Sequence, residues 1–322
     1  MDQVFTIDAD AAGARLDRFL AGALGLSRAA VRALLPGVTV DAHPAAAGQT
    51  LVAGQVVAVP GDALAALTLP VADADVGLRV IGQGPGWITV DKPAGVAVHP
   101  LQPGERGTLL NAVVTRWPGV VGVGEGGLRS GVVHRLDVTT SGAVVFALEQ
   151  GAWQRWRAAF AEHRVDKRYV ALVAGVAEVD GVAGGVAGAG WREQVMWLRV
   201  ARHRPARVEV VEPGRGWRCA LAWRALATCR PTREGGAGGA SLVEVALETG
   251  FLHQVRVMLA AVGHPLLGDG RYGGPTDAAP RPILHAATLT VDAGIVQDEP
   301  VHVASDPPGD FRELMHRLGI EA

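Results

Sequence analysis

Two β-branched runs, Val132-Val133 and Val144-Val145-Phe146, bracket the polar stretch HRLDVTTSG at residues 134–142, and this pattern constrains the chain more than any other feature. It predicts strand, exposed loop, strand. A loop pinned between strands can hold a side chain rigidly and leave it open to a ligand. Asp137 is the candidate nucleophile or base, Arg135 adds a permanent positive charge, and Thr139, Thr140 and Ser141 add hydroxyls. An Asp beside an Arg and followed by hydroxyl residues also suits a capped turn, so the loop alone leaves both readings open. A serine hydrolase is excluded: Ser141 lacks the G-x-S-x-G elbow, and His134, Asp137 and Ser141 lie too close in sequence for a triad.

HRLDVTTSG resembles the catalytic motif of the pseudouridine synthases, in the RluA-like branch typified by enzymes of large-subunit ribosomal RNA. Three further blocks resemble that family in order. In VDKPAGVAVHP (90–100), Pro93 and Gly95 force a turn that presents Lys92 and His99. KRYVALVAG (167–175) reads as a strand with Tyr169 at its start. In ETGFLHQVRVMLAAVGHPLLGDGRYGG (248–274), Leu252, Val255, Leu259 and Val262 line one helical face, Gly263 ends the helix, and His253 and Arg256 lie one turn apart.

The resemblance implies an α+β fold, with a central mixed, mostly antiparallel sheet flanked by helices and loops. It implies isomerisation of uridine to pseudouridine in RNA, by base flipping and attack of Asp137 on either C1′ of the ribose or C6 of the base. Arg256 is expected to pair with Asp137, and Tyr169 to stack on the target base and assist proton removal at C5. Arg135 is expected to enter the RNA stack in place of the flipped base. His134, as a hydrogen-bonding residue of the loop, joins Lys92, His99, Lys167 and His253 among the expected RNA or substrate contacts. The chain departs from the usual Gly-Arg-Thr-His form by carrying Phe251 and Leu252 where the family has arginine and threonine. This bears on one phosphate or loop contact and not on the Arg256 pairing.

A length of 322 residues allows roughly two domains. Near the N-terminus, Leu16, Phe19, Leu20, Ala23 and Leu24 recur at helical spacing up to Gly25, and Ser27 is a plausible cap for a second helix bearing Ala30, Val31, Leu34 and Leu35. Pro36-Gly37 stops it, and two short strands follow at 38–40 and 56–59. Arg15, Arg18, Arg28 and Arg32 fall off the apolar stripes, and this order resembles an S4 RNA-binding domain of small α/β type. Asp41-Ala42-His43 stands where that family often has an Asn-Gly turn. The expected division is an S4-like domain over 1–62, a linker over 63–76 and a catalytic domain over 77–322.

Elsewhere, Ala152, Trp156, Ala159 and Phe160 mark a helix face, residues 176–216 suggest short strands and loops, and the insert GGAGG between two β segments suggests a flexible hairpin tip. Gly122, Gly124 and Gly127 spell G-x-G-x-x-G, but no amphipathic helix follows to aim its N-terminus at a phosphate.

A formal net charge of −2 is unusual for a nucleic-acid binder, so a basic surface must come from local clusters such as Arg199, Arg202, Arg204 and Arg207. The expected partner is structured ribosomal RNA, with transfer RNA as the alternative substrate and a non-catalytic RNA-binding assembly factor as the alternative role. No cofactor and no metal are expected: the reaction neither oxidises nor transfers a group, and the 10 histidines show no metal spacing. Two cysteines at no redox or zinc spacing, an N-terminus without an apolar core and the lack of a long apolar run point to the cytoplasm with no membrane association, and a monomer is expected.

Overall fold

The computed structural model describes residues 2–26, 28–177, 190–229 and 239–320. Ser27, expected as a helix cap, and most of the GGAGG insert lie outside the described residues. The chain divides into two compact units, Met1–Asp75 with His99–Ser130, and Val76–Val98 with Gly131–Ala322.

In the first unit, helices α1 (Leu16–Leu24) and α2 (Arg28–Leu34) pack on a four-stranded antiparallel sheet of order β1-β4-β2-β3. The strands are β1 (Gln3–Thr6), β2 (Thr39–Val40), β3 (His43–Pro44) and β4 (Val56–Val59). Leu16, Leu20, Val31 and Leu34, spaced three to four apart, bury their side chains against Val57 and Val59. Gly25 closes α1 in the left-handed conformation, its N–H bonded to the Ala21 and Gly22 carbonyls. Asp41 and Ala42 both have positive φ, 51° and 65°, so the β2–β3 hairpin turns as an Asn-Gly pair would, without the glycine. The connection expected over 63–76 instead carries most of a helix, α3 (Gly61–Thr68). Helix α4 (Leu109–Arg116) starts in a capping box made by Thr108 and Asn111. The stretch His99–Ser130 groups with the N-terminal residues and not with the expected domain that begins at 77. Asn111 Nδ2 donates to the Val71 carbonyl at 2.7 Å, and the Thr115 hydroxyl accepts the Asp73 N–H at 2.8 Å.

Among the described residues the second unit is built on a ten-stranded sheet, ordered β10-β9-β11-β12-β8-β13-β7-β6-β5, with β14 beside β13. The strands are β5 (Arg79–Gly84), β6 (Trp87–Lys92), β7 (Ser141–Ala147), β8 (Asp166–Ala174), β9 (Arg192–His203), β10 (Ala206–Val211), β11 (Trp217–Cys229), β12 (Ala240–Leu247), β13 (Leu284–Val291) and β14 (Val301–Ala304). Among the described residues only the β13–β7 pairing is parallel, so the sheet is mixed and mostly antiparallel. Where short strands and loops were expected, β9 and β10 form a long hairpin. The strand expected at Val132-Val133 reduces to a single bridge, Val132 to Phe146. Helix α5 (Gln150–Ala161) buries Ala152, Trp156 and Ala159. Helix α6 (Gln254–Ala261) packs Val255, Met258 and Leu259 into the core lined by Leu198, Val243 and Leu284. Helix α7 (Gly309–Leu318) adds Phe311 and Leu314 to a second core with Leu172 and Ile283.

Gly142, which ends the polar stretch, has φ 116°, and a Cβ there would overlap the Ala286 carbonyl of β13. The glycine therefore lets β7 run alongside β13 at the exit of the loop. The G-x-G-x-x-G stretch leads only into a three-residue 3₁₀ turn, Gly127–Arg129.

Candidate active site

The loop from His134 to Thr140 is pinned from three sides, all within the second unit. From α5, Trp153 Nε1 and Arg157 Nη1 donate to the Val132 and Val133 carbonyls, each at 3.0 Å. From the end of β6, Lys92 Nζ donates to the carbonyls of Pro93 (2.9 Å), Val96 (2.7 Å) and Val138 (3.0 Å). Arg281 donates to the Thr139 carbonyl at 3.1 Å while its other nitrogens clasp Asp310 at the start of α7. Inside the loop, Thr140 N–H closes a turn onto the Asp137 carbonyl at 3.0 Å. Asp137 is thus carried on backbone that cannot drift, with its side chain 21% exposed.

Its neighbours come from the start of α6. Arg256 Nη1 lies 3.3 Å from Asp137 Oδ2, and His253 Nε2 lies 3.9 Å from the same oxygen. Arg256 is itself gripped bidentately by Asp269, Nε to Oδ2 at 2.7 Å and Nη2 to Oδ1 at 2.8 Å, and Asp269 is 1% exposed. Burial works against the guanidinium charge, yet the bonds to Asp269 and the charge of Asp137 hold its pKa above the ordinary value. One cation therefore bridges two carboxylates, one buried and structural, the other open to solvent. Gln254 shapes the preceding turn: its Oε1 accepts from the Phe251 N–H (2.9 Å) and the Thr249 hydroxyl (3.0 Å), and its Nε2 donates to the Ala220 carbonyl (3.0 Å).

A cleft of about 430 Å³ opens over Asp137. Tyr169, His253 and Arg256 line it with Asp137, while Arg135 and Lys167 stand in its walls. Tyr169, on β8, is 8% exposed, and among the described residues its hydroxyl has no hydrogen-bond partner. Burial, and then the charge of Asp137, push its pKa up, so the phenol stays neutral. Lys167 donates to the Glu248 carbonyl at 3.2 Å; burial lowers its pKa to about 8, against the pull of Asp166 and Glu248. Phe251 and Leu252 also line the cleft, giving it an apolar edge where arginine and threonine were the family expectation.

Two expected RNA or substrate contacts, Lys92 and His99, are corrected. Lys92 is fully buried and its three donors are spent on carbonyls, so it staples two loops and has nothing left for RNA. Burial, opposed by Asp137 and reinforced by Arg281, brings its pKa down to about 7. His99 is 5% exposed, with Nδ1 against the Pro100 carbonyl at 2.8 Å. His134 stacks on Phe160 with centroids 4.6 Å apart and accepts the Val145 N–H at Nε2, 3.0 Å away. In the first unit Arg18 and Arg32 are exposed and Arg15 is held by Asp17 at 3.0 Å, while the side chain of Arg28 falls outside the described residues.

His134 also sets a pH dependence. Burial, and then the charges of Lys167 and Arg157, lower its pKa to about 3, and the neutral ring is the form that accepts the Val145 N–H. A folded-state pKa below the unfolded value means that the stabilisation is complete above about pH 6.5 and is lost as pH falls toward 3, by ~5 kcal/mol in the limit. Urea unfolding at pH 7 and pH 4.5 is expected to show a smaller loss of stability for His134→Gln than for the wild type. Equal losses would remove His134 as the titrating group.

Asp269, Tyr272 and Arg281 were not expected as site residues. Asp269 and Tyr272 carried a faint signal, standing among the glycines of GDGRYGG. A Cβ at Gly268 would overlap the Arg281 carbonyl, so the chain is folded tightly there to bring Asp269 under Arg256. Arg281 gave no signal at all. Among the described residues, no group of three or more His, Cys, Asp or Glu is placed to hold a metal ion, and no helix is long and apolar enough to cross a membrane.

Residues 86–261 match the sequence profile of the family described as RNA pseudouridylate synthase. An uncharacterized RNA pseudouridine synthase of Mycobacterium bovis is 34% identical, the alignment covering 96% of this chain and 94% of that protein. The ribosomal large subunit pseudouridine synthase D of Zymomonas mobilis is 32% identical over 76% of this chain and 74% of its own length. Among solved structures, human RNA pseudouridylate synthase domain containing 1 superposes with a TM-score of 0.53 at 25% identity, covering 72% of this chain and 84% of that one. Human RNA pseudouridylate synthase domain containing 4 shares the fold with a TM-score of 0.54 at 20% identity, over 76% and 94%.

Proposed function

Because the chain belongs to the RNA pseudouridylate synthase family, in its RluA-like branch, we propose that it isomerises specific uridines of large-subunit ribosomal RNA, with Asp137 as the attacking group. The observation that carries this reading is a half-open carboxylate, 3.3 Å from a buried arginine, at the floor of a cleft large enough for one nucleotide.

The target uridine must leave its stack to reach that floor, at a cost of ~a few kcal/mol. Arg135, exposed in the cleft wall, is placed to occupy the vacated position in the RNA. The Asp137 carboxylate then adds to C1′, expelling uracil, or to C6 of the base. The N1–C1′ bond breaks and the base turns; C5 bonds to C1′, the bond to Asp137 (at C1′ or at C6) is cleaved to give back the carboxylate, the C5 proton is lost as the aromatic ring is restored, and N1 takes up a proton. Atoms balance without a co-reactant. Arg256 keeps the carboxylate aimed, and its own direction is set by Asp269. Tyr169, with a neutral phenol and a free hydroxyl, offers its ring to the face of uracil and its O–H to the base.

The N-terminal residues 1–62 act as the S4-like RNA-binding domain, through the exposed Arg18 and Arg32 on α1 and α2, and the unit that carries Asp137 acts as the catalytic domain. The enzyme works as a monomer in the cytoplasm, where its free Cys219 and Cys229 suit a reducing environment.

Support for ribosomal RNA comes from relatives named as large-subunit synthases in Zymomonas mobilis, Xanthomonas campestris and Pseudomonas aeruginosa. Mapping pseudouridine by carbodiimide primer extension, in total RNA from cells with and without the gene, is expected to show sites lost from large-subunit ribosomal RNA. Loss confined to transfer RNA would replace the substrate, and no loss anywhere would leave an RNA-binding role only.

A further inference from the structure

The oxygen of Asp137 that faces Arg256 also faces His253, and what lies behind His253 bears on how the carboxylate is aimed. His253 precedes α6 with φ 53°, in the left-handed region that a residue with a Cβ seldom adopts. Such a conformation persists where the surroundings over-determine it. Here they do. The ring is wedged between Asp137 and Tyr272, with Nε2 at 3.9 Å from Asp137 Oδ2 and Nδ1 at 2.8 Å from the Tyr272 hydroxyl.

Tyr272 is held in turn by the β10 strand. The Val208 N–H donates to its oxygen at 3.0 Å, its ring meets that of His253 edge-on with centroids 5.7 Å apart, and the Arg256 guanidinium lies 5.3 Å over the same ring. Tyr272 therefore touches both groups that face Asp137.

A phenol has one O–H. A neutral imidazole has one N–H, and the group bonded to one ring nitrogen decides which nitrogen carries it. Burial keeps His253 below its usual pKa, hence neutral. Were Nδ1 protonated, the lone pair of Nε2 would point at the Asp137 carboxylate, which is repulsive. With the proton on Nε2, the ring presents a donor to Oδ2 and Nδ1 is free to accept the Tyr272 O–H.

Resting on the reading of Asp137 as the attacking group, we infer that Tyr272 is a positioning residue: its hydroxyl fixes His253 as the Nε2–H tautomer, so that imidazole and guanidinium together engage Oδ2 and leave Oδ1 as the attacking oxygen. Asp137 Oδ1 makes no hydrogen bond among the described residues, while Oδ2 is the atom bonded to Arg256. The 3.9 Å separation from His253 exceeds a hydrogen bond and closes when substrate fills the cleft, as catalytic contacts commonly do.

The test has a direct readout and a kinetic one. ¹⁵N NMR of histidine-labelled protein, with the His253 signal assigned by its loss in His253→Gln, is expected to show Nε2 protonated and Nδ1 bare in the wild type, and a mixture of tautomers in Tyr272→Phe. In single-turnover isomerisation of ribosomal RNA fragments, Tyr272→Phe is expected to be about tenfold slower with RNA affinity unchanged, the size of one lost hydrogen bond. In a His253→Ala background the same substitution is expected to cost nothing further, whereas His253→Gln, whose amide can still offer an N–H, retains more activity than His253→Ala. A wild type protonated at Nδ1, a Tyr272→Phe enzyme of full rate, or equal losses in both backgrounds would each overturn the inference. None depends on the Asp137 reading failing, since that is tested by Asp137→Asn alone.

Discussion

Asp137→Asn is expected to abolish isomerisation, by ~10⁴-fold or more, in a protein that still folds and still binds RNA. Asparagine keeps the shape and an oxygen that can accept from Arg256, 3.3 Å away in the wild type, but an amide oxygen does not form the bond to carbon that an ionised carboxylate does. Because Arg256 remains clasped by Asp269, its charge stays compensated, and the stability change is expected to be small, about 1 kcal/mol. Release of tritium from RNA labelled at C5 of uridine reads the chemistry directly, since that hydrogen leaves only when C5 is joined to C1′. An Asp137→Asn protein that released tritium at even a few per cent of the wild-type rate would end the assignment.

The second large effect is on stability and activity together. Asp269→Ala removes the partner that anchors Arg256 from below, leaving a guanidinium whose side chain is 7% exposed with only Asp137 at 3.3 Å. Breaking a buried pair by deleting one member is expected to cost ~3–5 kcal/mol. It also frees Arg256 to turn away from Asp137, so the rate falls with the stability. The apolar double replacement Arg256→Met with Asp269→Leu separates the two effects: removing both charges is expected to restore much of the stability and none of the activity. Urea unfolding of the three proteins beside their single-turnover rates checks this. If Asp269→Ala unfolded within 1 kcal/mol of the wild type, Asp269 would not be the anchor.

The candidate loop was legible in HRLDVTTSG, because one acidic side chain among donors, ahead of a β-branched run, is a local pattern; its chemistry came only with the resemblance. Helix faces were legible for the same reason: Leu16 with Leu20, Val255 with Leu259, and Ala152 with Trp156 each repeat at helical spacing and each is buried. The hairpin β9–β10 was not, since few of its residues are buried and charged side chains such as Arg192, Glu193, Arg199 and Arg202 interrupt the apolar ones along β9.

The expected roles of Lys92 and His99 fell for one shared reason. A cationic or imidazole side chain next to a proline reads as exposed, yet three carbonyls turned toward Lys92, and the Pro100 carbonyl beside His99, make those side chains part of the scaffold. Whether a polar group meets solvent or backbone depends on residues far away in the chain.

From its residues this protein offered a candidate carboxylate in a polar loop and the strand that follows it, and through the resemblance an arginine expected beside it, because those features lie within runs short enough for periodicity and side-chain chemistry to speak. Only the folded chain decided which groups hold that arginine and that carboxylate in place. Asp269, Tyr272 and Arg281 reach the site across separations of 13, 64 and 142 residues to Arg256, Val208 and Thr139, and hydrogen bonds over such distances are set by how the sheet closes, not by any neighbour in sequence.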